Sequence, residues 1–194
     1  MRRMLQVYLA GPITGCSYGN AVSWREWVKD ELKEEFICLS PMRAKDYLVE
    51  VNDISKSYES DRHDALPRIG EILSCNKGIN RRDSWDCRTA DLVLMNLADL
   101  SENKEVRIAQ RALRSLTLSP ELRRLGKLAD DLEKCAKRVT IGTILELGMA
   151  WMHRKPVVCV MPNSNIHEHP MVEDMIDFRC PSLDIALEVL RALR

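Results

Sequence analysis

The sequence predicts an α/β protein in which helices flank a doubly wound, mostly parallel β-sheet. Short apolar runs of strand length alternate along the chain with longer segments of helical periodicity, which is the pattern of repeated β-α-β units. The run PVVCVM at residues 156–161 is nearly continuous in apolar residues, as is typical of a central strand buried on both faces. These two observations together favour a parallel sheet with helices on both sides.

The first strand is predicted at residues 5–10, where an apolar run ends in a turn formed by Gly11 and Pro12. The run is too short for a signal peptide, and no small-residue cleavage site follows it. In a parallel α/β sheet, ligands bind outside the carboxyl ends of the strands. We therefore expect Tyr8 and the loop at 11–15 to lie at the rim of a crevice, although a tyrosine there is more often a core residue.

The later elements are predicted from periodicity and from stop signals. Residues 42–80 are mixed in character and are interpreted as a long loop with short helices, and Ser182 is the expected N-cap of the last helix. The resulting alternation is typical of Rossmann-like or flavodoxin-like folds. In order, the predicted elements are a helix at 19–34, a strand at 36–40, a helix at 79–89, and strands at 91–96 and 156–161, followed by a helix at 183–193.

Residues 98–137 interrupt this alternation, because their pattern is almost wholly helical. The segment has two apolar stripes separated by Ser119 and Pro120, which form a helix start signal. We interpret it as a helical hairpin inserted into a single domain that spans residues 1–194. Three roles stay open for the insertion: it covers the mouth of an active site, contacts another subunit, or packs on its own domain.

The composition is that of an ordinary globular domain, with 45% hydrophobic and 30% charged residues in a chain of 194. The 29 basic and 29 acidic residues balance to zero net charge, which argues against a nucleic-acid groove or a membrane surface. The 7 cysteines are odd in number and form no CxxC pair. This pattern indicates reduced thiols in a cytoplasmic protein rather than disulfides or a zinc site.

One carboxylate lies in an apolar stretch directly after a glycine-bearing turn. The chain enters a predicted helix through Thr140, Gly142 and Thr143. Glu146 follows about one turn later, and the amides at the start of such a helix attract an anion or a sugar oxygen. Glu146 is therefore the first candidate for chemistry. The alternative is a buried structural glutamate paired with a lysine or an arginine.

A set of short motifs, taken in their order and spacing, carries a resemblance to a known enzyme family. The motifs are YLAGP at 8–12, PMRAK at 41–45, RD at 82–83, ADLVLMNL at 90–97, GTILELG at 142–148 and NIHEHPM at 165–171. They resemble the nucleoside 2-deoxyribosyltransferase family, above all its phage and bacterial members. That family also contains 2'-deoxynucleoside 5'-monophosphate N-hydrolases with the same fold. The resemblance covers nearly the whole chain except the insertion.

The resemblance implies three catalytic residues for cleavage of an N-glycosidic bond. Glu146 would attack the anomeric carbon and form a covalent deoxyribosyl-enzyme, as the nucleophile of a retaining glycosidase does. Tyr8 would donate its hydroxyl to Glu146, and Asp83 would protonate the leaving base. That role requires a raised pKa of Asp83, through burial or through a neighbour such as Asp86. The alternative for Asp83 is a carboxylate near the start of a helix that satisfies the helix dipole.

Substrate-binding residues are implied in the same way. Gly11 and Pro12 would line the crevice. Asp86 has no clear role in the family, but it lies one turn from Asp83 on the same helical face, from where it could contact a base or the ribose. Asn165, with Asn163 as the alternative, would reach the active site of a neighbouring subunit. The protein would then be a homodimer or a higher homo-oligomer with shared active sites.

The sugar's 5' end is expected at the start of the helix that carries Glu146. Thr140, Gly142 and Thr143 would supply hydroxyl and backbone groups there, and the same turn would cradle a phosphate if the substrate carries one. The side chains that could supply positive charge for such a phosphate are Arg43, Lys45 and Arg82.

No cofactor and no metal are expected, since the HxH pair of His167 and His169 has no evident third ligand. Three functions stay open: 2-deoxyribosyl transfer between bases, hydrolysis of 2'-deoxynucleoside 5'-monophosphates, and a nucleotide-sensing or NAD-cleaving module. The loop at 13–18 contains no arginine, which disfavours hydrolysis because a phosphate pocket is expected to be basic. The expected partners are nucleosides or nucleotides and nucleobases, without nucleic acid or membrane.

Overall fold

The computed structural model describes residues 3–50, 54, 72–73, 75–98 and 140–194. These residues belong to one unit, formed by residues 1–98 and 140–194. Apart from Ala98, the predicted helical insertion at 98–137 lies outside the described residues, as do residues 51–53, 55–71 and 74 of the predicted loop at 42–80. The single-domain interpretation therefore stays a prediction.

The described part of the chain contains a five-stranded parallel sheet, which confirms the predicted fold class. The strand order is β2-β1-β3-β4-β5, which is the flavodoxin-like order. The strands are β1 (Leu5–Ala10), β2 (Phe36–Leu39), β3 (Leu92–Asn96), β4 (Val157–Val160) and β5 (Phe178–Cys180). The sequence analysis missed β5, a short edge strand whose first two residues are exposed and lack an apolar run.

Five helices with both ends inside the described ranges accompany these strands. They are α1 (Tyr18–Leu32), α2 (Asn76–Thr89), α3 (Ile141–Met152), α4 (Pro170–Asp174) and α5 (Leu183–Ala192), and a short 3-10 helix spans Asp46–Leu48. The helices predicted outside the insertion, at 19–34, 79–89 and 183–193 and after Thr140, are confirmed with slightly shifted ends. In α2 the start is earlier, because the Cys75 thiol accepts a hydrogen bond from the Gly78 amide. Ser182 caps α5 as predicted, since its hydroxyl accepts from the Ile185 amide.

Helices α2 and α3 pack together against one face of the sheet. Alternate strand residues such as Tyr8, Val93 and Val157 join Leu147 of α3 and Cys87 of α2 in one buried cluster. At the edge of the sheet formed by β5, helix α5 packs against β4 and β5. The arrangement places the helices that carry Asp83 and Glu146 side by side, directly over the strand that carries Tyr8.

The connections from β1 and β3 lead to opposite sides of the sheet, because β1 is followed in chain order by β2 and β3 by β4. The carboxyl ends of these two neighbouring strands therefore form a topological switch point, where ligands bind in such folds. Among the helices in the described ranges, none is long and apolar enough to cross a membrane.

Candidate active site

A partly buried hydrogen bond joins Tyr8 and Glu146, the two catalytic candidates that lie farthest apart in the sequence. Tyr8 is fully buried in β1, and its hydroxyl donates to Glu146 Oε1 at 2.6 Å. Glu146 lies in the second turn of α3, on the side of that helix that faces the sheet next to the buried Leu147. The contact expected from the resemblance is therefore present, while the catalytic roles of both residues remain predictions.

The surroundings of Glu146 change its protonation. Burial raises the pKa of Glu146 to about 7, whereas the hydrogen bond from Tyr8 and the positive charges of Arg25 and Lys45 oppose that rise. Burial also raises the pKa of Tyr8 well above its ordinary value, so the phenol stays protonated and remains a donor. Glu146 is thus a carboxyl that exchanges its proton near neutral pH, as acid-base and nucleophilic catalysts do.

Asp83 is a second buried carboxyl beside this pair. It lies in α2, and its Oδ1 finds no hydrogen-bond partner among the residues that the structure describes. Burial raises the pKa of Asp83, although Lys45 and Arg82 act in the opposite direction. Because α2 begins at Asn76, Asp83 is too far from the helix start to serve the helix dipole. That alternative interpretation of Asp83 is therefore wrong.

Asp86 lies one turn after Asp83 and faces Arg43 instead of open solvent. Arg43 Nη1 donates to Asp86 Oδ2 at 2.5 Å, and Nη2 donates to Oδ1 at 2.9 Å. Such a two-point pair fixes both side chains. Since Arg43 engages both carboxylate oxygens, the predicted contact of Asp86 with a base or ribose has no support in the structure.

Arg82, which also lies in α2, holds the turn at residues 41–43 through a second set of hydrogen bonds. Its guanidinium donates to the carbonyl oxygen of Arg43 at 3.1 Å and to that of Pro41. Two of the three cations that the sequence offered for a phosphate, Arg43 and Arg82, are thus engaged in holding residues 41–43 to α2. The third, Lys45, is buried in the same turn.

The sequence analysis missed Arg25, which is fully buried beneath the site. Its guanidinium donates to the carbonyl oxygens of Leu9 at 3.1 Å and Gly11 at 2.8 Å, and also to that of Ala21. Burial lowers the pKa of Arg25 to about 10. Its position in the sequence could have revealed this burial. Arg25 lies one helical turn after Ala21, on the face of α1 that also carries Val28 and Leu32.

Gly11 is required where β1 leaves the sheet. A Cβ atom at this position would lie 2.8 Å from the Trp24 ring and 3.2 Å from the Asn96 carbonyl oxygen. A side chain there would displace either the ring or the backbone of β3. Gly11 therefore acts through close packing and through its carbonyl oxygen, which Arg25 holds, and the partly buried Pro12 follows it.

The start of α3 is attached to the loop after β4. The Thr140 amide donates to His167 Nε2 at 3.1 Å, so this ring nitrogen is unprotonated and Nδ1 carries the proton. Nδ1 then donates to Asn165 Oδ1 at 2.8 Å. Within α3, Thr143 is buried, while Gly142 is exposed with open space around its Cβ position.

Asn165 completes this connection within its own chain. Its Nδ2 donates to the Leu97 carbonyl oxygen at 2.7 Å, directly after β3, while its Oδ1 also accepts from the His167 amide at 3.0 Å. A series of hydrogen bonds thus links the end of β3 to the start of α3, from Leu97 through Asn165 and His167 to Thr140. The predicted contact of Asn165 with a neighbouring subunit stays a prediction.

His169 is used differently from His167. Its Nδ1 accepts from the Met171 amide at 3.2 Å and caps α4. Among the described residues, no group of three or more His, Cys, Asp or Glu side chains is arranged to hold a metal ion.

Comparison with known proteins adds two distant structural similarities. No family model matches the chain, and no curated protein matches it. A solved 2-deoxyribosyltransferase from Bacillus psychrosaccharolyticus is similar with a TM-score of 0.47 and 16% identity, over 94% of this chain and 90% of that one. A conserved protein from Enterococcus faecalis V583 has a TM-score of 0.41 and 13% identity, over 96% and 88%. These values are too low to transfer an activity.

Proposed function

We propose that this protein cleaves the N-glycosidic bond of 2'-deoxynucleosides and transfers the 2-deoxyribosyl group to another nucleobase. The observation that carries the proposal is the partly buried hydrogen bond from Tyr8 to Glu146, with a buried carboxyl, Asp83, on the adjoining helix. A nucleophile that is held by a phenol, next to a separate acid, is what a two-step displacement at an anomeric carbon requires.

In the first step, a Glu146 oxygen forms a bond to the anomeric carbon while the bond from that carbon to the base nitrogen breaks. The electron pair of the broken bond goes to the base, which takes a proton from Asp83. A second base then attacks the glycosyl-enzyme, returns its proton to Asp83 and releases Glu146 as a carboxylate. In both steps positive charge develops on the anomeric carbon and negative charge on the base. The reaction therefore requires two carboxyl groups, one for each partner.

In the reactive form, one of the two carboxyl groups is protonated and the other is ionised. Tyr8 and Arg25 favour the ionised form of Glu146. Asp83 Oδ1 is buried and accepts no hydrogen bond from the described residues, and Arg82 Nε lies 3.7 Å from it. Burial raises the pKa of Asp83 despite this cation. The like charges also oppose double ionisation. The assignment of Glu146 as nucleophile and Asp83 as acid is the one that the resemblance of the sequence motifs implies.

Product analysis tests the proposal directly. The protein is incubated with a 2'-deoxynucleoside and a second free base, with a 2'-deoxynucleoside 5'-monophosphate, and with NAD, and the products are separated by chromatography. Base exchange that disappears in Glu146→Gln supports the transferase. Release of deoxyribose 5-phosphate would establish the hydrolase instead, and nicotinamide release the NAD-cleaving module. No product from any of these substrates would refute an N-glycosidic function.

A further inference from the structure

A buried donor and a buried acceptor lie close together in α2 without forming a hydrogen bond. Arg82 Nε is 3.7 Å from Asp83 Oδ1, which is longer than a hydrogen bond between nitrogen and oxygen. Neither atom has another hydrogen-bond partner among the described residues, and both are closed to solvent. Two unpaired groups of this kind are costly, and they call for an explanation beyond the fold.

The rest of the Arg82 guanidinium is fixed in place. Its Nη1 donates to the carbonyl oxygen of Arg43 at 3.1 Å, and its Nη2 donates to that of Pro41. Arg43 ties the same turn to α2 a second time through its pair with Asp86. Nε is therefore held next to Asp83, although it takes no part in holding the turn.

The two oxygens of Asp83 have different surroundings. The side chain of Asp83 is 13% exposed, yet Oδ1 is closed to solvent. Oδ2 makes no hydrogen bond with the described residues either, but it is not closed to solvent in the same way. Oδ1 thus belongs to the interior beside Arg82, and Oδ2 is the oxygen that a base in the crevice would meet.

We propose that Arg82 is a positioning residue, whose Nε donates a hydrogen bond to Asp83 Oδ1 once Oδ2 has given its proton to the leaving base. This inference rests on the proposed function, in which Asp83 is the acid. The bond from Oδ2 to its proton breaks, and the proton goes to the base nitrogen that receives the electron pair of the glycosidic bond. Asp83 is left as a carboxylate. A movement of about 0.8 Å then brings Oδ1 to hydrogen-bond distance from Nε.

This contact stabilises the ionised form of Asp83 more than the protonated form. A carboxylate accepts a shorter and stronger hydrogen bond than a neutral carboxyl does. A donor that is already in place costs no reorganisation when the charge develops. Arg82 thereby allows Asp83 to release its proton to the base, even though burial raises the pKa of this carboxyl.

Other charged or titratable groups also act on Asp83, from every element around the site. They are Lys45 and Arg43 from the turn after β2, Asp86 from α2, Glu146 from α3, Tyr8 from β1 and Arg25 from α1. Substitution of Arg82 also releases the turn that carries Arg43 and Lys45. The first measurement is therefore made on the protein with Arg82 in place.

Nuclear magnetic resonance of the wild-type protein tests the contact without depending on catalysis. The Arg82 Nε–H signal and the Asp83 carboxyl carbon are followed as the pH is raised, and Arg82→Gln and Asp83→Asn assign the two signals. We expect the Nε–H proton to move to lower field with the same midpoint as the ionisation of Asp83, because a charge-assisted hydrogen bond forms. The movement should be absent in Asp83→Asn. The Nε–H of Arg81, an exposed arginine of the same helix, should not follow this ionisation. An Arg82 signal that does not respond to the ionisation of Asp83 would overturn the inference.

Steady-state kinetics distinguish this role from that of a residue that only holds the turn. Arg82→Gln should lower kcat by about 10- to 100-fold. Loss of the cation should also raise the pKa of Asp83 further, so the basic limb of the kcat/KM profile should move to higher pH. Arg82→Lys, which keeps a charge, should retain part of the activity and move the limb less, and Arg81→Gln should change neither quantity.

A loss of activity in Arg82→Gln that is uniform across pH, with the basic limb unmoved, would assign Arg82 to the turn and refute the inference. If the Arg82 signal follows the ionisation of Asp83 but no deoxynucleoside is cleaved, the proposed function fails while the contact between the two side chains stands.

Discussion

At the scale of single residues, Glu146 combines two opposing requirements. A nucleophilic carboxylate must be ionised, yet the burial that excludes water from the site raises its pKa to about 7. Tyr8, Arg25 and Lys45 act against this rise, each from a different element. The carboxyl therefore becomes available as a nucleophile around neutral pH, and its position among these three side chains sets that range.

Glu146→Gln should separate activity from stability. Loss of the nucleophile should lower turnover by several orders of magnitude. The folded pKa of about 7 lies above the ordinary 4.5, so the stability contributed by the neutral carboxyl is complete below 4.5 and is lost as pH rises through about 7. The variant should therefore be more stable than the wild type at pH 8, by up to about 3 kcal/mol.

Denaturation at pH 8 and pH 5 measures this difference, because the gain should be small at pH 5, where the wild-type carboxyl is largely protonated. Turnover close to that of the wild type would remove Glu146 from the mechanism. A loss of stability at pH 8 would contradict the burial of an ionisable carboxyl.

Tyr8→Phe should weaken activity and move its pH dependence. The phenol donates a hydrogen bond to Glu146 that lowers the pKa of this carboxyl. Its removal should therefore shift the acidic limb of the kcat/KM profile to higher pH, and should cost about 10- to 100-fold at neutral pH. A uniform loss without a shift would mean that Tyr8 only fills space. Tyr18→Phe, at a partly buried tyrosine whose hydroxyl donates to Asp46, is the matched control.

At the scale of elements, the start of α3 depends on the loop after β4. His167 accepts from the Thr140 amide, and Asn165 ties the loop to the end of β3. Helix starts leave amides without intrahelical partners, so this acceptor helps to fix the direction of the helix that carries Glu146. The position of the nucleophile is thereby linked to a segment that lies about twenty residues further along the chain.

His167→Leu should therefore lower both kcat and stability. Loss of the acceptor leaves a partly buried amide unpaired, which should cost about 1–2 kcal/mol, and the displaced helix should lower kcat by about 10-fold. His169→Leu is the matched control, since it removes the cap of α4 and should cost a similar amount of stability while kcat is kept. Chemical denaturation and steady-state kinetics measure the two effects. Equal kcat values for the two variants would argue against the link to α3.

At the scale of the whole molecule, the shared active site remains a proposal. If Asn165 completes a neighbour's site, mixing Glu146→Ala with Asn165→Ala should restore activity after subunit exchange, because one site of each mixed dimer carries neither change. We expect about one active site per mixed dimer in that case. Exchange without recovery, or an active monomer in sedimentation, would restrict Asn165 to its own chain, where it already binds Leu97 and His167.

The sequence by itself determined the fold class and the central pair of the candidate site. Apolar runs and helical periodicity are local signals, so they survive without knowledge of packing. The pairing of Tyr8 with Glu146, by contrast, was expected only from the resemblance of the motifs at 8–12 and 142–148 to a known family. The short edge strand β5 and the short helix α4 were missed because segments of this length carry too little periodicity.

The tertiary structure alone decided how the charged residues are used. Arg43 and Asp86 are 43 residues apart, and no spacing rule predicts that they pair. In the sequence, Arg25 and Lys45 look like surface cations, yet packing buries both of them, Arg25 against the carbonyl oxygens of Leu9 and Gly11. Burial depends on which elements cover a side chain, and the pKa depends on burial. The pattern of residues therefore predicts where chemistry is placed, while the packing of distant segments decides which groups are free to perform it.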